Sequence, residues 1–326
     1  MTEQFSRAGR WLLRYTHLLV KLHQLTARNI DESDEADALR DEMDLPWRRM
    51  TPEELRMARD LSADLYSITD PPPPAVESSP PKLDALVTRA VKDEDWIRVL
   101  QVVRENAAQI PLYAASFLRG FAWSQLGLHE AGAEFFMHAV KLRPERHDYR
   151  SYVLDSLVYA GRERDALPYA EQWIEDATDR LLLLAAANVL FINAESSTPE
   201  EARRLHGRAI DVAERALHDL DFAQLEPDMR HLAVNAFLHI AMSQAYLGDL
   251  SKAHAAWQRA SVLDPNSLDT LLVRSVLIGP QDELGPMARQ NVARSLVGVP
   301  PEQSSETRLP LQSFHNGNTV LGTFVD

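Results

Sequence analysis

The residues that could do chemistry in this chain are eleven histidines and forty-eight carboxylates, and there is no cysteine. Without cysteine, disulfides, thiolate ligands and thiol nucleophiles are excluded. The histidines are dispersed. No HExxH pattern occurs, and no two histidines stand at i, i+4 on one helix face, the spacing that holds zinc there. His138 follows Glu134 by four residues, while His147-Asp148 and His218-Asp219 are sequence neighbours whose side chains diverge on a helix. Carboxylates crowd into residues 31–44 as Asp31, Glu32, Asp34, Glu35, Asp37, Asp41, Glu42 and Asp44. No glycine stands where a calcium loop makes its sharp turn, so the run reads as the solvated face of a helix around Ala38, Leu39 and Met43. Neither a phosphate-cradling glycine loop nor a nucleophile elbow is present. The expectation is a non-enzyme with no catalytic residues, cofactor or metal.

The formal charge of −14 and a pI near 5.3 argue against nucleic-acid binding and suit basic partners. The apolar run from Trp11 is cut by Arg14, His17 and Lys21, which does not fit a secretion signal. His231–Gly248, free of formal charge, carries His231, Asn235, His239 and Gln244 and is too polar to span a membrane. A cytoplasmic location is expected.

The elements that must position any site are helical. From Val234 to Ser267, Phe237, Ile240, Ala241 and Ala245 recur at helical spacing. Gly248-Asp249 breaks the pattern, and Leu250, Ala253, Ala256, Trp257, Ala260 and Leu263 form a second face before Asp264-Pro265-Asn266 stops it. One such hairpin leaves an apolar face uncovered, so it needs copies alongside. Tyr113–Arg146 is one, with Gly127 at its turn and Pro144 at its exit. His147–Arg180 follows at a 34-residue step with Gly161 at the turn.

The two clearest units resemble tetratricopeptide repeats (TPR). In that register Gly120, Trp123, Gly132, Phe136, Ala139 and Pro144 occupy the family's signature positions, as do Ala241, Ala253, Trp257, Ala260 and Pro265 in the later unit. Ser116 and Arg119 replace larger apolar residues, and Trp173 stands where a small residue is usual. The resemblance implies an all-α, right-handed α-solenoid whose first helices line a concave groove for a protein or peptide. Carried over by position, the groove presents Phe117, Leu118, Phe121 and Gln125, then Tyr152, Asp155 and Tyr159, then Ala185 and Val189, then Leu238, His239, Met242 and Tyr246. Family members that clamp a peptide carboxylate carry lysine, asparagine and arginine there. These positions are mostly apolar or aromatic, which points to an apolar or helical segment held by aromatic anchors.

Around the repeats, the sequence divides into an N-terminal helical module (1–70), a proline-rich linker (71–81), the solenoid with capping helices (82–298) and a tail (299–326). In the module, Trp11, Tyr15, Leu18, Leu22 and Leu25 form an apolar seam, each worth roughly 1.5–3 kcal/mol if buried. Three readings of that seam stand open: packing within the chain, a homo-oligomer through residues 11–25, or a basic amphipathic helix (5–28) docked on a membrane surface. Pro46-Trp47-Arg48-Arg49 reads as a break, and Thr51-Pro52-Glu53-Glu54 as a capped helix start. Lys82–Pro111 is a degenerate first hairpin. Leu181–Leu220 is a unit with an enlarged turn, and the loop around Asp221–Asp228 absorbs the irregular 87-residue step from Gly161 to Gly248. Leu268–Ile278 and Met287–Val297 are capping-helix candidates. Asn316-Gly317 marks a β-hairpin in the tail. The seam, or the tail around Phe314 and Phe324, could also fill the groove from within.

Overall fold

The apolar spacing read along the sequence produces helices almost everywhere it occurs. The computed structural model describes residues 9–69, 81–265 and 267–278, and across them the chain is all-α, with fourteen helices. The candidate helix Met287–Val297, the tail 299–326 with its Asn316-Gly317 hairpin, and nearly all of the linker lie outside the described residues. The described residues fall into two compact units, one ending at Tyr149 and the other beginning at Arg150.

The first unit opens with α1 (Arg10–Ala27), α2 (Asp34–Arg49) and α3 (Pro52–Thr69). Of the α1 seam, Leu18 and Leu25 are buried and Trp11, Tyr15 and Leu22 half-buried, Leu12 and Leu19 beside it are buried, and the helix packs on α2, α3 and α7 (His129–Leu142). Ser33 caps α2 by accepting from the Ala36 amide. The break expected at Pro46-Trp47 does not occur there. The helix runs on to Arg49, with Pro46 buried inside it, and ends when Met50 turns extended. Tertiary packing overrides the local signal, because Trp47 stacks at a tilt on Tyr15, ring centroids 5.4 Å apart, and the Arg59 guanidinium covers it. The capping box forms as expected. The Thr51 amide donates to Glu54 Oε2 (2.8 Å) and the Glu54 amide donates to Thr51 Oγ1 (3.2 Å).

Helices α4 (Pro81–Lys92), α5 (Trp96–Glu105), α6 (Leu112–Gln125) and α7 continue the same unit as consecutive packed neighbours. The linker region therefore joins helices that share one core. Between α6 and α7 the backbones nearly touch. A Cβ on Gly120 would lie 2.8 Å from the Phe136 ring, and one on Gly132 would lie 2.0 Å from Ser124 Oγ. Glycine is required at both places.

The unit boundary falls inside α8 (His147–Tyr159), and the second unit continues with α9 (Glu163–Trp173), α10 (Arg180–Ala194), α11 (Pro199–Leu217), α12 (Pro227–Tyr246), α13 (Leu250–Leu263) and α14 (Leu268–Ile278). Each of α10 to α13 packs on the helix before and after it. In addition α10 packs on α12 and α12 on α14, so successive first helices stack directly. α10 is buried nearly all round, as its unbroken apolar sequence requires. The irregular repeat step is absorbed by a 19-residue α11 and a 20-residue α12 that begins seven residues ahead of the Val234 start read from the sequence.

The turns after α6, α8 and α12 repeat one geometry, which the enlarged turn after α10 does not share. Gly127, Gly161 and Gly248 have φ of 84°, 74° and 89°. At each, the next amide reaches back to the carbonyl five residues earlier: Leu128 to Trp123, Arg162 to Leu157, Asp249 to Gln244, all at 2.8–2.9 Å. This is the Schellman closure that satisfies the last carbonyls of a helix. The degenerate hairpin makes the same closure with Glu94 at φ 53°, and α1 makes it with Asn29 at φ 59°.

Candidate functional site

The ten positions expected to line a partner groove divide between the units. In the first, α6 carries Phe117, Phe121 and Gln125. In the second, α8 supplies Tyr152, Asp155 and Tyr159, α10 supplies Val189, and α12 supplies Leu238, Met242 and Tyr246. Seven of the ten are buried, among them Phe117 at 1% exposure and Val189 and Leu238 at 0%. Gln125, Tyr159 and Tyr246 are half-buried. In the second unit the physical reason is visible in the packing: α12 stacks directly on α10 and on α14, so much of the face that carries Val189, Leu238 and Met242 lies between helices.

Phe117 is the hub of a ring cluster in the first unit. Its centroid lies 4.8 Å from Tyr149, 5.5 Å from Phe136 and 6.4 Å from Phe121, and Trp96 meets Phe121 edge-on at 5.3 Å. The second unit has a corresponding cluster with imidazoles in it. His239 stacks on Phe191 at 4.4 Å, and His206 packs between Phe191 (6.0 Å) and Tyr246 (4.4 Å). Burial pushes His239 down to about 3, so it is neutral at ordinary pH, and neither ring nitrogen finds a hydrogen-bond partner. Burial likewise pushes the Asp155 carboxyl up to about 8, which keeps it protonated at neutral pH.

One constellation was not read from the sequence. Ser243 Oγ lies 3.0 Å from His206 Nδ1, and His206 Nε2 lies 3.5 Å from Glu195 Oε1. The order serine, histidine, carboxylate is that of a nucleophile relay. Here Ser243 and His206 are both at 0% exposure, and their contact is a buried polar tie between α11 and α12. The three residues are 37 and 11 positions apart, and no motif marks them. His218 and Asp219, read as diverging, in fact meet at 2.8 Å, because both lie beyond the end of α11 and Asp219 takes φ 59°. Among the described residues no group of three or more His, Cys, Asp or Glu side chains is placed to hold a metal ion, and no helix is long and apolar enough to cross a membrane.

The strongest polar arrangement ties the N-terminal helices to the repeats. Asp64 of α3 is 1% exposed. It accepts from Trp123 Nε1 (3.1 Å) and from Arg104 Nε (2.9 Å), and pairs with Arg119 Nε at 3.2 Å. Burial pushes the Arg119 guanidinium below its ordinary value, against the opposing pull of Asp64. Arg119 and Trp123 are positions noted for the resemblance, so the polar replacement at 119 has its partner. Along the α1–α7 seam, His17 Nδ1 lies 3.0 Å from Glu130 and Gln24 donates to Glu134 (2.6 Å), while between α6 and α7 His138 Nδ1 lies 2.8 Å from Ser116 Oγ. His138 is pushed down to about 4, first by burial and then by Lys141, Arg119 and His23.

No family model matches the sequence, and no similar curated protein is found. Among solved structures, the chain is similar to the crystal structure of the TPR domain of P58(IPK), at 13% identity and a TM-score of 0.32, over 96% of this chain and 79% of that one. The description of the fold as TPR-like rests on the chain's own hairpins: glycine turns of one geometry, small residues at the helix crossings, and first helices stacked on first helices.

Proposed function

We propose that this protein is a non-catalytic interaction scaffold or adaptor of TPR type, acting in the cytoplasm and holding an apolar or helical segment of a partner protein. The observation that carries the reading is the direct stacking of α10, α12 and α14, which is how repeat hairpins build one extended recognition face from many short helices. Gln125, Tyr159 and Tyr246 are the members of the candidate set that keep solvent-facing surface, and aromatic anchors of this kind carry most of the energy of peptide interfaces. The other seven, Phe117, Phe121, Tyr152, Asp155, Val189, Leu238 and Met242, are buried, each within the packing of its own unit. The test is affinity capture from native lysate with the full chain and with a Tyr159→Ala/Tyr246→Ala variant whose circular dichroism and melting match the parent. A specific partner retained by the parent and lost by the variant is expected. Equal recovery by both would overturn the assignment.

A further inference from the structure

The irregular step between Gly161 and Gly248 has a structural product. α11 and α13 flank α12, and the long connection between α11 and α12 brings Phe222 over their end. The result is a cleft of about 380 Å³, within the range of roughly 300–1,000 Å³ typical of ligand sites. Its floor is apolar: Phe237 and Ile240 of α12 are buried, and the Phe222 ring stands 5.5 Å from that of Phe237. Its two walls differ in charge. The α13 wall carries Lys252 and Arg259, seven residues and so about 10 Å apart along one side of the helix, with small Ala255 and Ala256 between them. The α11 wall carries Glu214. Lys252 is engaged by Asp249 at 3.1 Å. Arg259 lies over the Phe237 ring at 5.6 Å, and among the described residues no carboxylate pairs with it.

We infer that this cleft is a docking site for an acidic amphipathic peptide segment of a partner protein, with a large apolar side chain seated on Phe237 and a neighbouring carboxylate on Arg259. The inference rests on the scaffold reading and adds to it a second contact site, lined by neither Tyr159 nor Tyr246. Charge selects the occupant. An arginine exposed at the mouth of an apolar cleft, held on an aromatic ring and paired with no carboxylate among the described residues, favours an incoming carboxylate. Glu214 on the facing wall repels the same group, so the acidic side of the segment must lie toward α13 and its basic or neutral side toward α11. A nucleic acid gains nothing from an apolar floor, and one arginine neutralises too few phosphates to hold it.

The experiment selects short random peptides displayed on phage against the full-length protein, then measures a labelled selected peptide by fluorescence anisotropy. Three folded variants are compared with the parent: Arg259→Glu, Ala255→Trp, which fills the cleft from an exposed position, and the Tyr159→Ala/Tyr246→Ala pair. The expected result is peptides that place leucine or phenylalanine within a turn of aspartate or glutamate. Their affinity falls about tenfold or more in Arg259→Glu and in Ala255→Trp and is unchanged in the tyrosine pair. Loss only in the tyrosine pair overturns the cleft and leaves the scaffold reading standing, whereas failure to select any peptide above background overturns both. Sedimentation that shows a dimer dissolved by Arg259→Glu would make a second copy of this chain the occupant and also overturn the inference.

Discussion

Helices α7 and α13 are second helices of equivalent hairpins, both fourteen residues long, and they have opposite fates. α7 buries eight residues, because α1 and α3 pack over it. α13 buries only Ala253, Ala256 and Ala260, and Lys252, Ala255, Ala256 and Arg259 form one wall of an open cleft. The sequence pattern shared by the two hairpins specifies how each pair of helices closes on itself. It does not specify what covers the outer side. In the first unit the chain supplies its own cover, fixed by the buried Asp64 and its three partners. In the second it leaves an open cleft with Lys252 and Arg259 on one wall and Glu214 on the other.

The comparison breaks most sharply at Asp64. Asp64→Ala strands the buried Arg119 guanidinium and the Trp123 indole N–H, and should cost about 3–5 kcal/mol in urea unfolding. A loss under about 1 kcal/mol would mean that the cover on α7 is held by apolar contact alone. Next in size is the helix crossing. Gly132→Ala forces a methyl against Ser124 and should cost about 1–3 kcal/mol, whereas Ala253→Gly in the other hairpin should cost only about 0.5–1 kcal/mol. A loss under about 0.5 kcal/mol for Gly132→Ala would show that the α6–α7 crossing has room for a methyl.

The second unit also carries opposing proton linkages. His239, held near 3 against an ordinary 6.5, contributes stability above pH 6.5 that is lost as pH falls toward 3. Asp155, held near 8 against 3.8, binds its proton better in the folded chain, so its contribution is lost as pH rises through 8. Between pH 4 and 6.5 the two slopes cancel, and the Asp155 loss shows above that window. The melting temperature should therefore fall by about 3 °C or more between pH 6.5 and 8 in the parent and stay level in Asp155→Asn. The smallest effect is at a turn. Glu94 holds a left-handed conformation that glycine holds at the three regular turns, so Glu94→Gly should stabilise by about 0.5–1 kcal/mol in thermal or urea unfolding.

What was legible in the sequence follows from locality. Gly127, Gly161 and Gly248 announce the turns because the conformation they adopt excludes most side chains, and Thr51 and Glu54 announce a helix start because their bonds span three residues. Pro46 misleads because the contact that keeps its helix going, Trp47 on Tyr15, is long-range. Asp64 and Arg119 are 55 residues apart, so nothing local shows that the polar residue at 119 is answered. The groove positions were carried over one by one from a family pattern, and a pattern of positions does not record how deeply a neighbouring helix covers them.

The junction at Asp64 has a practical corollary for anyone who would isolate the repeats. A fragment begun at residue 82 keeps every hairpin yet discards the only carboxylate placed against Arg119 among the described residues, together with the two helices that overlie α7. Such a fragment would present a greasy stripe with an orphaned guanidinium beside it, and its clumping in solution would report a missing lid, not a defect in the repeats themselves.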